Sequence, residues 1–379
     1  MKKTLAAVLV SAFAATAANA ATIYNENGTK VDLDGSLRFV LEKSNQGGVY
    51  NNQLQRPQRS HSALRNDGSR FAIKVKHTLD NGYFALARVE VRFDGKDSGA
   101  KPDQDGFGAL NTKRAYVGLG NNEFGEVTIG RQVTIADDLS TANDYSYGLI
   151  SKDTYIPTSG KAVIRYDYKG VKGLQVGASY QFADKRNAGE IPNDALDNGV
   201  QFAVTYEGSA AEQPNGVIAK FGYGRTNYKQ SNNKSSYKNG FLASVGYEFD
   251  GVTLSLDGGY FDAKNVTANN KVSQVAFSGD SKGFYVSPGV QVQVTEKSKV
   301  YGNYFFQQEK QTENAAGVSV DEKVKTSGFL LGADYKLHKQ VKTYIEGKFV
   351  ESRSYANGQY NEGSKEKDKA IGVGLRVYF

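Results

Sequence analysis

The chain has 379 residues, a formal net charge of +7 and a mean hydropathy of −0.52. The absence of cysteine excludes a disulfide scaffold, and beyond the N-terminus no segment is apolar enough to predict a membrane-spanning helix. So small an excess of basic residues, with no basic run interleaved with aromatic residues, gives no indication of nucleic acid binding.

The first twenty residues, MKKTLAAVLVSAFAATAANA, have the three parts of a secretory signal. A basic start is followed by an apolar run and then by an A-x-A cleavage pattern. The alternative, a membrane-spanning helix, needs roughly 20 apolar residues, and this run is shorter. We therefore expect cleavage between Ala20 and Ala21, so that residues 1–20 are the signal and residues 21–379 are the exported domain.

Nearly all of the exported chain alternates between apolar and polar residues. In KVDLDGSLRFVLE, Val31, Leu33 and Leu37 fall on one face, while Asp32 and Asp34 fall on the other. Because successive side chains of a strand point to opposite faces, the alternation predicts strands with one apolar and one polar wall. Sixteen such strands are predicted, near residues 30–42, 69–79, 82–93, 112–120, 125–131, 161–169, 173–183, 198–208, 216–226, 238–249, 252–262, 282–294, 298–309, 325–337, 340–352 and 369–379.

The connections between the predicted strands alternate between short and long. The short ones, such as residues 80–82, 250–251 and 338–339, contain only a few residues. The long ones are rich in Asn, Ser, Lys, Asp and Gly, as solvated loops are. They lie near residues 43–68, 94–111, 132–160, 184–197, 227–237, 263–281, 310–324 and 353–368.

Two all-β architectures use strands of this kind. A secreted β-sandwich buries its apolar faces against each other and typically closes near ~100 residues per domain. A membrane barrel turns apolar side chains to lipid and polar ones to an aqueous lumen, with an even number of strands of about 10 residues, short turns on one rim and long loops on the other. The chain meets these requirements together, which predicts a 16-stranded antiparallel transmembrane β-barrel with short periplasmic turns and long extracellular loops.

The C-terminal AIGVGLRVYF fits the last strand of such a barrel. Its two glycines and two valines disfavour a helix. In a strand, Phe379 and the alternate apolar residues would face lipid, and Arg376 would face the lumen. We expect this strand to pair with the first one, because an unpaired edge in lipid leaves backbone groups without hydrogen bonds.

Sixteen strands enclose a lumen too wide for side chains to fill, which predicts a water-filled channel. Its selectivity would depend on a constriction and on the charges around it. The alternation turns Arg38, Lys74, Arg88 and Arg92 toward the lumen. Most charges on such a face are only solvated wall residues. Like charges crowded on adjacent strands repel each other, however, so a crowded set indicates an opposite charge across the lumen.

The segment EFGEVTIGRQ, followed by a long acidic loop, resembles the strand that leads into the third loop of Gram-negative general porins, in particular the Pasteurellaceae type. SRFAIKVKH, TKRAYVGLG, KAVIRYDYKG and the terminal GVGLRVYF fit the same family, and the resemblance covers the whole exported chain. It implies a homotrimer of barrels in the outer membrane, in contact with membrane lipid and lipopolysaccharide. It also implies passive diffusion of ions and small hydrophilic solutes, and it makes Phe379 the signal for the outer-membrane assembly machinery.

The resemblance further implies that the third loop folds into the lumen and faces a ladder of basic side chains. By position, Arg70, Arg114 and Lys161 match the family's basic cluster. Arg165 lies on the predicted inward face of the same strand as Lys161 and is an equally good candidate.

The acids of the constriction would come from TIADDLSTANDYSYGLISKD, in which Asp138 and Asp144 fall where the family's acidic loop residues occur. The family's Pro-Glu-Phe-Gly-Gly stretch is missing, since the chain has YSYGLI there, and this leaves the path of the loop and a third acid open. Arg131 is a candidate either for anchoring the loop root or for a subunit contact.

Other functions fit the sequence less well. An enzyme is disfavoured because the histidines match no nucleophile motif, and no cofactor or metal motif is recognisable. A substrate-specific channel, such as a sugar channel, needs a run of aromatic side chains along the lumen, whereas the inward-facing ones are scattered: Phe84, Tyr116, Tyr285, Tyr301, Phe305 and Tyr344. An adhesin would act through the outer loops and is compatible with a pore.

Overall fold

The computed structural model describes residues 20–45, 61–93, 110–142, 144–183, 196–208, 215–228, 236–269, 276–315 and 318–379. The predicted signal lies outside the described residues except for Ala20. Parts of most predicted long loops also lie outside them.

The described residues form β1 (Ala21–Glu26), β2 (Thr29–Ser44), β3 (His61–Asn66), β4 (Arg70–Thr78), β5 (Tyr83–Phe93), β6 (Leu110–Asn121), β7 (Gly125–Val133), β8 (Ser159–Tyr168), β9 (Leu174–Phe182), β10 (Leu196–Glu207), β11 (Asn215–Tyr228), β12 (Ser236–Phe249), β13 (Val252–Asn269), β14 (Ala276–Thr295), β15 (Ser298–Ala315), β16 (Val318–His338), β17 (Val341–Ala356), β18 (Gln359–Tyr360) and β19 (Glu366–Tyr378). Short 3-10 helices occur at Asp80–Gly82, Ile135–Asp138 and Lys152–Thr154. In this part of the chain no helix is long and apolar enough to cross a membrane.

The strands close into a barrel with sixteen positions around its wall. From β4 to β17 each strand pairs antiparallel with the next, β17 pairs with β19, and β19 pairs with β2. β3 and β4 pair with successive parts of β2 and together fill one position. β1 pairs with the start of β2, and β18 extends the end of β17. The predicted all-β, 16-stranded antiparallel barrel is confirmed.

The alternation of the sequence separates an outer face from an inner one. On the outer face Leu41, Val117 and Leu331 are about 60 % exposed (61, 62 and 61 %). On the inner face the charged side chains of Glu346 and Glu90 are 0 and 1 % exposed. Apolar side chains therefore cover the outside, while charged and polar side chains line the inside.

The chain terminus closes the barrel as predicted. The N–H of Phe379 donates to the carbonyl of Gly35 at 3.1 Å, and the N–H of Gly35 donates to the carbonyl of Phe379 at 2.9 Å. The Phe379 ring lies over Gly35, where a Cβ atom would overlap it. Arg376 faces inward and is 8 % exposed.

Two of the predicted long loops are mostly strand. β13 and β14 stay paired up to Asn269 and Ala276, and β15 and β16 up to Ala315 and Val318, across the stretches 263–281 and 310–324. The prediction was wrong because it took polar composition as the mark of a loop. Backbone pairing needs no apolar side chain, so a hairpin can continue into water beyond the apolar band. Likewise β3 lies inside the predicted loop 43–68.

The connection between β7 and β8, residues 134–158, lies inside the barrel, and we call it the third loop. It packs so closely on the wall that glycine is required there. A Cβ atom at Gly240 of β12 would overlap the carbonyl oxygen of Tyr155, and one at Gly222 of β11 would overlap the Leu139 side chain.

The substitution Gly240→Val should therefore push the third loop away from the wall, because the overlapping atom belongs to the loop backbone and cannot rotate aside. We expect a changed and more variable single-channel conductance in planar bilayers. Gly258→Ala on β13 is the matched control, since its Cβ would meet its nearest neighbour at 3.5 Å. A Gly240→Val channel indistinguishable from the unsubstituted one would contradict the placement of the loop.

Candidate pore constriction

The two ends of the third loop, where it leaves β7 and enters β8, are hydrogen-bonded to each other. At its root the N–H of Thr134 donates to the carbonyl of Thr158 at 2.9 Å. From there Ile135 packs against Gly177 of β9 and Leu139 against Gly222 of β11. The outgoing half of the loop therefore follows the inner wall away from β7.

A buried carboxylate on β13 binds the middle of the outgoing half. Asp257, 1 % exposed, accepts hydrogen bonds from the Thr141 N–H at 3.0 Å, the Thr141 hydroxyl at 2.8 Å and the Ser140 hydroxyl at 3.0 Å. Hydrogen bonds to an ionised acceptor are roughly twice as strong as neutral ones. Asp257 thus fixes the loop to the inner wall at β13.

A second buried carboxylate, on β17, binds the tip of the loop. Glu346 is fully buried. It accepts the backbone N–H groups of Tyr145 at 2.7 Å, Ser146 at 2.8 Å and Tyr147 at 2.7 Å, and the hydroxyl of Tyr301 at 2.8 Å. Three consecutive backbone donors converge on one carboxylate, so the loop tip is folded around this side chain.

Aromatic and basic side chains surround the tip. The Tyr145 ring stacks on Tyr344 with 4.6 Å between centroids, and the Arg376 guanidinium lies 4.6 Å from the Tyr145 centroid. Arg376 also donates to the Tyr145 carbonyl at 2.7 Å and pairs with Asp67 at 2.6 Å. The Tyr145 hydroxyl donates to Asp334 of β16. The tip is therefore attached to the wall by side chains of several strands.

The returning half packs on inward-facing aromatic residues. Tyr155 is 2 % exposed and contacts Phe261 and Tyr285, with ring centroids 5.8 and 4.7 Å away. Lys238 donates to the carbonyl of Thr154 at 2.9 Å. These inward aromatic residues are thus covered by the loop and do not offer a continuous surface to the lumen.

At the root, Arg165 of β8 joins the loop to the wall. Its guanidinium pairs with Asp167 at 2.5 Å and with Asp138 of the loop at 2.7 Å, and it donates to the Thr134 carbonyl at 2.9 Å. Gln175 of β9 also donates to Asp138, at 3.1 Å. Arg165 is 8 % exposed, so its charge is neutralised locally.

The third loop reaches β2 at Glu42, which accepts the Tyr147 hydroxyl at 2.9 Å. Beside that contact, the wall formed by β2, β4, β5 and β6 carries a cluster that we call the basic arc: Arg38, Arg70, Lys74, Arg88, Arg92 and Arg114. In the strand register Arg70 lies directly opposite Arg92, and Lys74 lies directly opposite Arg88. Like charges at directly opposed positions destabilise a sheet.

Glu90 lies at the centre of the basic arc. It pairs with Arg92 at 2.6 Å, Arg88 at 2.7 Å, Arg114 at 3.6 Å and Arg70 at 3.8 Å. A single carboxylate thus holds four guanidinium groups together and reduces their mutual repulsion.

Another carboxylate of this wall, Asp34, pairs with Lys74 and lies 3.9 Å from Arg88. The Glu90 side chain is 1 % exposed, whereas the four arginines around it are 18 to 23 % exposed. The surface that the arc presents to the lumen is therefore cationic. Arg92 also interacts electrostatically with Asp137 of the third loop.

A family model for Gram-negative porins matches residues 5–355 of the chain. The major outer membrane protein of Pasteurella multocida strain Pm70 is 31 % identical over the full length of both chains. The chain belongs to the Gram-negative porins. It is accordingly an outer membrane channel for diffusion and not an enzyme, as the sequence predicted.

Solved outer membrane proteins share its fold. The anion-selective porin from Comamonas acidovorans superimposes with a TM-score of 0.66 at 19 % identity, covering 93 % of this chain and all of that one. The trimer form of OmpT, an outer membrane protein of Vibrio cholerae, gives a TM-score of 0.62 at 17 % identity, with 93 % of this chain and all of that one covered.

The structure brings together only part of the basic set expected from the porin resemblance. Arg70 and Arg114 lie in the basic arc with Arg38, Lys74, Arg88 and Arg92. Arg165 does not, because Asp138 and Asp167 hold it at the loop root. Lys161 is exposed beside a β-bulge of β7 and β8, and among the described residues it makes no hydrogen bond or ion pair.

The loop acids are also divided. Asp138 pairs with Arg165 at the root, while the exposed Asp144 lies at the tip with its carboxylate against Gly148. Arg131 pairs with Ala115 in the register and shares the outer face of β7 with Ile129, so it points away from the lumen. Among the described residues, no group of three or more acidic or histidine side chains is placed to hold a metal ion.

Sequence reasoning missed the carboxylates that bind the loop. In the sequence, Asp257 and Glu346 are not distinguishable from the other polar residues on the inward faces of the strands. The only local signal is a neighbouring glycine, in DGG and in EGK. Their role depends on loop atoms more than 100 residues away in the chain.

Replacing Glu346 with Ala should release the loop tip, because three backbone N–H groups would lose their acceptor, at about 1–3 kcal/mol for each group left unsatisfied. We expect noisier single-channel currents and faster proteolytic cleavage within residues 144–158 of the reconstituted porin. Glu351→Ala on the outer face of β17 is the matched control. Equal cleavage rates in both variants would contradict the anchoring role of Glu346.

Proposed function

We propose that the third loop and the basic arc together form the constriction of this porin, and that the constriction favours anions. The observation that carries the proposal is the unequal burial of opposite charges on one wall. Glu90 is almost fully buried beneath the arc, while Arg70, Arg88, Arg92 and Arg114 remain partly open to the lumen. A permeating ion therefore meets guanidinium groups first.

The arrangement of the opposing acids supports the same conclusion. Asp257 and Glu346 are buried under the loop, and Asp138 is neutralised by Arg165. The remaining loop acids are Asp137, Asp144 and Asp153, and Asp153 already accepts the Thr158 N–H within the loop at 2.8 Å. They are outnumbered by the six cations of the arc. Low-dielectric walls lined by one sign of charge raise the local concentration of the opposite ion. The fold likeness to a porin described as anion-selective is consistent with this sign.

The solutes would be small anions and small hydrophilic molecules that pass down their own gradient. A sugar-specific channel is less favoured because Tyr285 and Phe305, two of the predicted inward aromatic residues, pack in a cluster with Tyr155 of the loop. The lumen beside the basic arc is accordingly lined by charged side chains rather than by aromatic rings.

Several partners belong to the same proposal. A trimer is supported by the fold likeness to a porin solved in a trimer form, and Arg131 on the outer face is a candidate for its subunit contact. Phe379, 40 % exposed at the end of the closing strand, is available to be read by the assembly machinery. Membrane lipid and lipopolysaccharide would contact the apolar outer face. Residues 1–20 would be removed at Ala20–Ala21 during export.

Replacing Arg70, Arg92 and Arg114 by Gln in one variant should shift the reversal potential in a salt gradient toward that of a cation-selective channel, because three partly exposed positive charges leave the constriction. Planar-bilayer recording of the purified porin measures this shift. Lys161→Gln is the control and should change the reversal potential much less. An unchanged potential in the triple variant would reject the arc as the selectivity site, and unsubstituted protein without conductance steps would reject the channel itself.

Selectivity should also depend on pH through Asp144. Enclosure within the barrel, and then the nearby Glu346 carboxylate, raise the pKa of Asp144 to about 6.

Protonation below that pKa removes a negative charge, so anion preference should increase as the pH falls from about 7.5 to 5. Reversal potentials recorded across this range test the effect. In the Asp144→Asn variant this increase should be absent, and a persisting pH dependence would assign it to other groups.

A further inference from the structure

A second concentration of positive charge lies on the outside of the barrel, at the rim that carries the long loops. Its members lie on or beside β15, β16, β17, β19 and β2, and we call them the basic band: Lys43, Lys310, Lys323, Lys325, Arg353, Lys365, Lys367 and Lys369. The strand register places them on the outer face. On β16, for example, Lys323 and Lys325 have the same parity as Phe329 and Leu331, which are 47 and 61 % exposed.

The basic band contains two directly opposed pairs of like charge. Lys310 lies opposite Lys323, and Lys325 lies opposite Arg353. Such pairs destabilise a sheet unless an anion lies over them.

The acids near the basic band do not balance it. Glu351 is already held by Arg353 at 2.6 Å and Lys365 at 3.0 Å, and Asp321 accepts a hydrogen bond from Thr312 at 2.9 Å. Glu362 is exposed in the connection to β19. Eight cations therefore face three carboxylates at this rim.

Directly below the basic band the outer wall has an apolar groove of about 670 Å³. Gly347 forms its floor, with Leu331 and Ile371 at the adjacent positions on the neighbouring strands. Phe349 lies above, and the Lys369 ammonium is 5.3 Å from its ring centroid. Positive charge and apolar groove thus meet at one point on the wall.

We propose that the groove and the basic band form a binding site for a phosphorylated glycolipid of the outer leaflet, with an acyl chain over Gly347 and phosphates on the lysines. This names the site for a lipid partner already included in the proposed function. The long-loop rim fixes the leaflet. Five adjacent strand positions spaced about 4.8 Å apart span roughly 20 Å, which suits a headgroup with several phosphates better than one with a single phosphate.

Two further features favour a glycolipid. Tyr360 lies within the basic band, is 42 % exposed and offers an aromatic face to a sugar ring. The neighbouring Tyr355 ring, 5.7 Å away, is contacted by the Lys323 ammonium at 4.9 Å. A second copy of the chain is the less suitable occupant, because lysine is depleted at protein interfaces. Long lysine stems can instead lie along the apolar wall while their charges reach a headgroup.

The chain has no tryptophan, so Phe349→Trp places a single fluorescent reporter at the top of the groove. The porin is reconstituted in vesicles of phosphatidylcholine with brominated acyl chains, which quench the reporter. Unbrominated lipid A or unbrominated phosphatidylglycerol is then added at the same low mole fraction. We expect lipid A to restore fluorescence far beyond its mole fraction, and phosphatidylglycerol to restore it only in proportion.

Adding Lys43→Gln, Lys367→Gln and Lys369→Gln to the reporter should abolish the preference for lipid A. The matched control replaces Lys169, Lys297 and Lys339 on the short-turn rim with Gln and should keep it. Gly347→Leu should also weaken the preference by filling the groove, since a Cβ there meets its nearest neighbour at 3.4 Å and the variant can fold.

Equal protection by both lipids would overturn the choice of glycolipid. A reporter that brominated lipid never quenches would show that a second copy of the chain covers the groove. Conductance of every variant, recorded in parallel, separates failure of this site from failure of the channel.

Discussion

The structure depends on one constraint: in hydrocarbon every backbone N–H and C=O needs a partner within the protein. The barrel meets it by closing β19 onto β2, and the last residue exchanges two hydrogen bonds with Gly35. Where the ladder breaks between β3 and β4, side chains replace it. Asn66 donates to the Phe93 carbonyl at 2.9 Å and accepts from the Ser69 N–H at 2.9 Å. At this break Asp67 reaches into the lumen and pairs with Arg376, which holds the tip of the third loop.

A closed sheet fixes which side chains face inward, and the third loop then divides that inner face. Carboxylates beneath the loop, such as Asp257 and Glu346, are shielded from water and accept hydrogen bonds from the loop. Their charges contribute little to the water-filled part, while their hydrogen bonds, at about 1.5–3 kcal/mol each, hold the loop in place. The wall that carries the basic arc keeps its guanidinium groups partly wet around the buried Glu90. The sign of the charge that the lumen presents to solutes therefore follows from the position of the loop rather than from the number of charged residues.

This explains what could be predicted from the sequence. The alternation of apolar and polar residues is a local property of the chain. It predicts the number of strands, the closure of the barrel and the inward orientation of Arg70, Arg114 and Arg376. The role of Arg165 does not follow from this alternation, because Lys161 and Arg165 have the same parity. What distinguishes them is the pair of partners Asp138 and Asp167 and the bulge beside Lys161, which a period of two does not reveal. The hairpins beyond the apolar band were read as loops because polar composition is compatible with both loops and solvated strands. Glu346 acquires its role from a loop 200 residues distant.

Opposed like charges occur on the inner face of β4 and β5 and on the outer face of β15, β16 and β17, but the two sets use different residues. Five of the six cations of the basic arc are arginines, whose planar, rigid guanidinium groups can share one fixed carboxylate, as four of them share Glu90. Seven of the eight cations of the basic band are lysines, whose flexible stems suit partners without a fixed position. The arginines of the basic arc keep a fixed arrangement beside the path of the solutes. The lysines of the basic band can instead adjust to lipid headgroups that bind and leave. The division between Arg and Lys thus follows whether the anionic partner is built into the protein or comes from outside it.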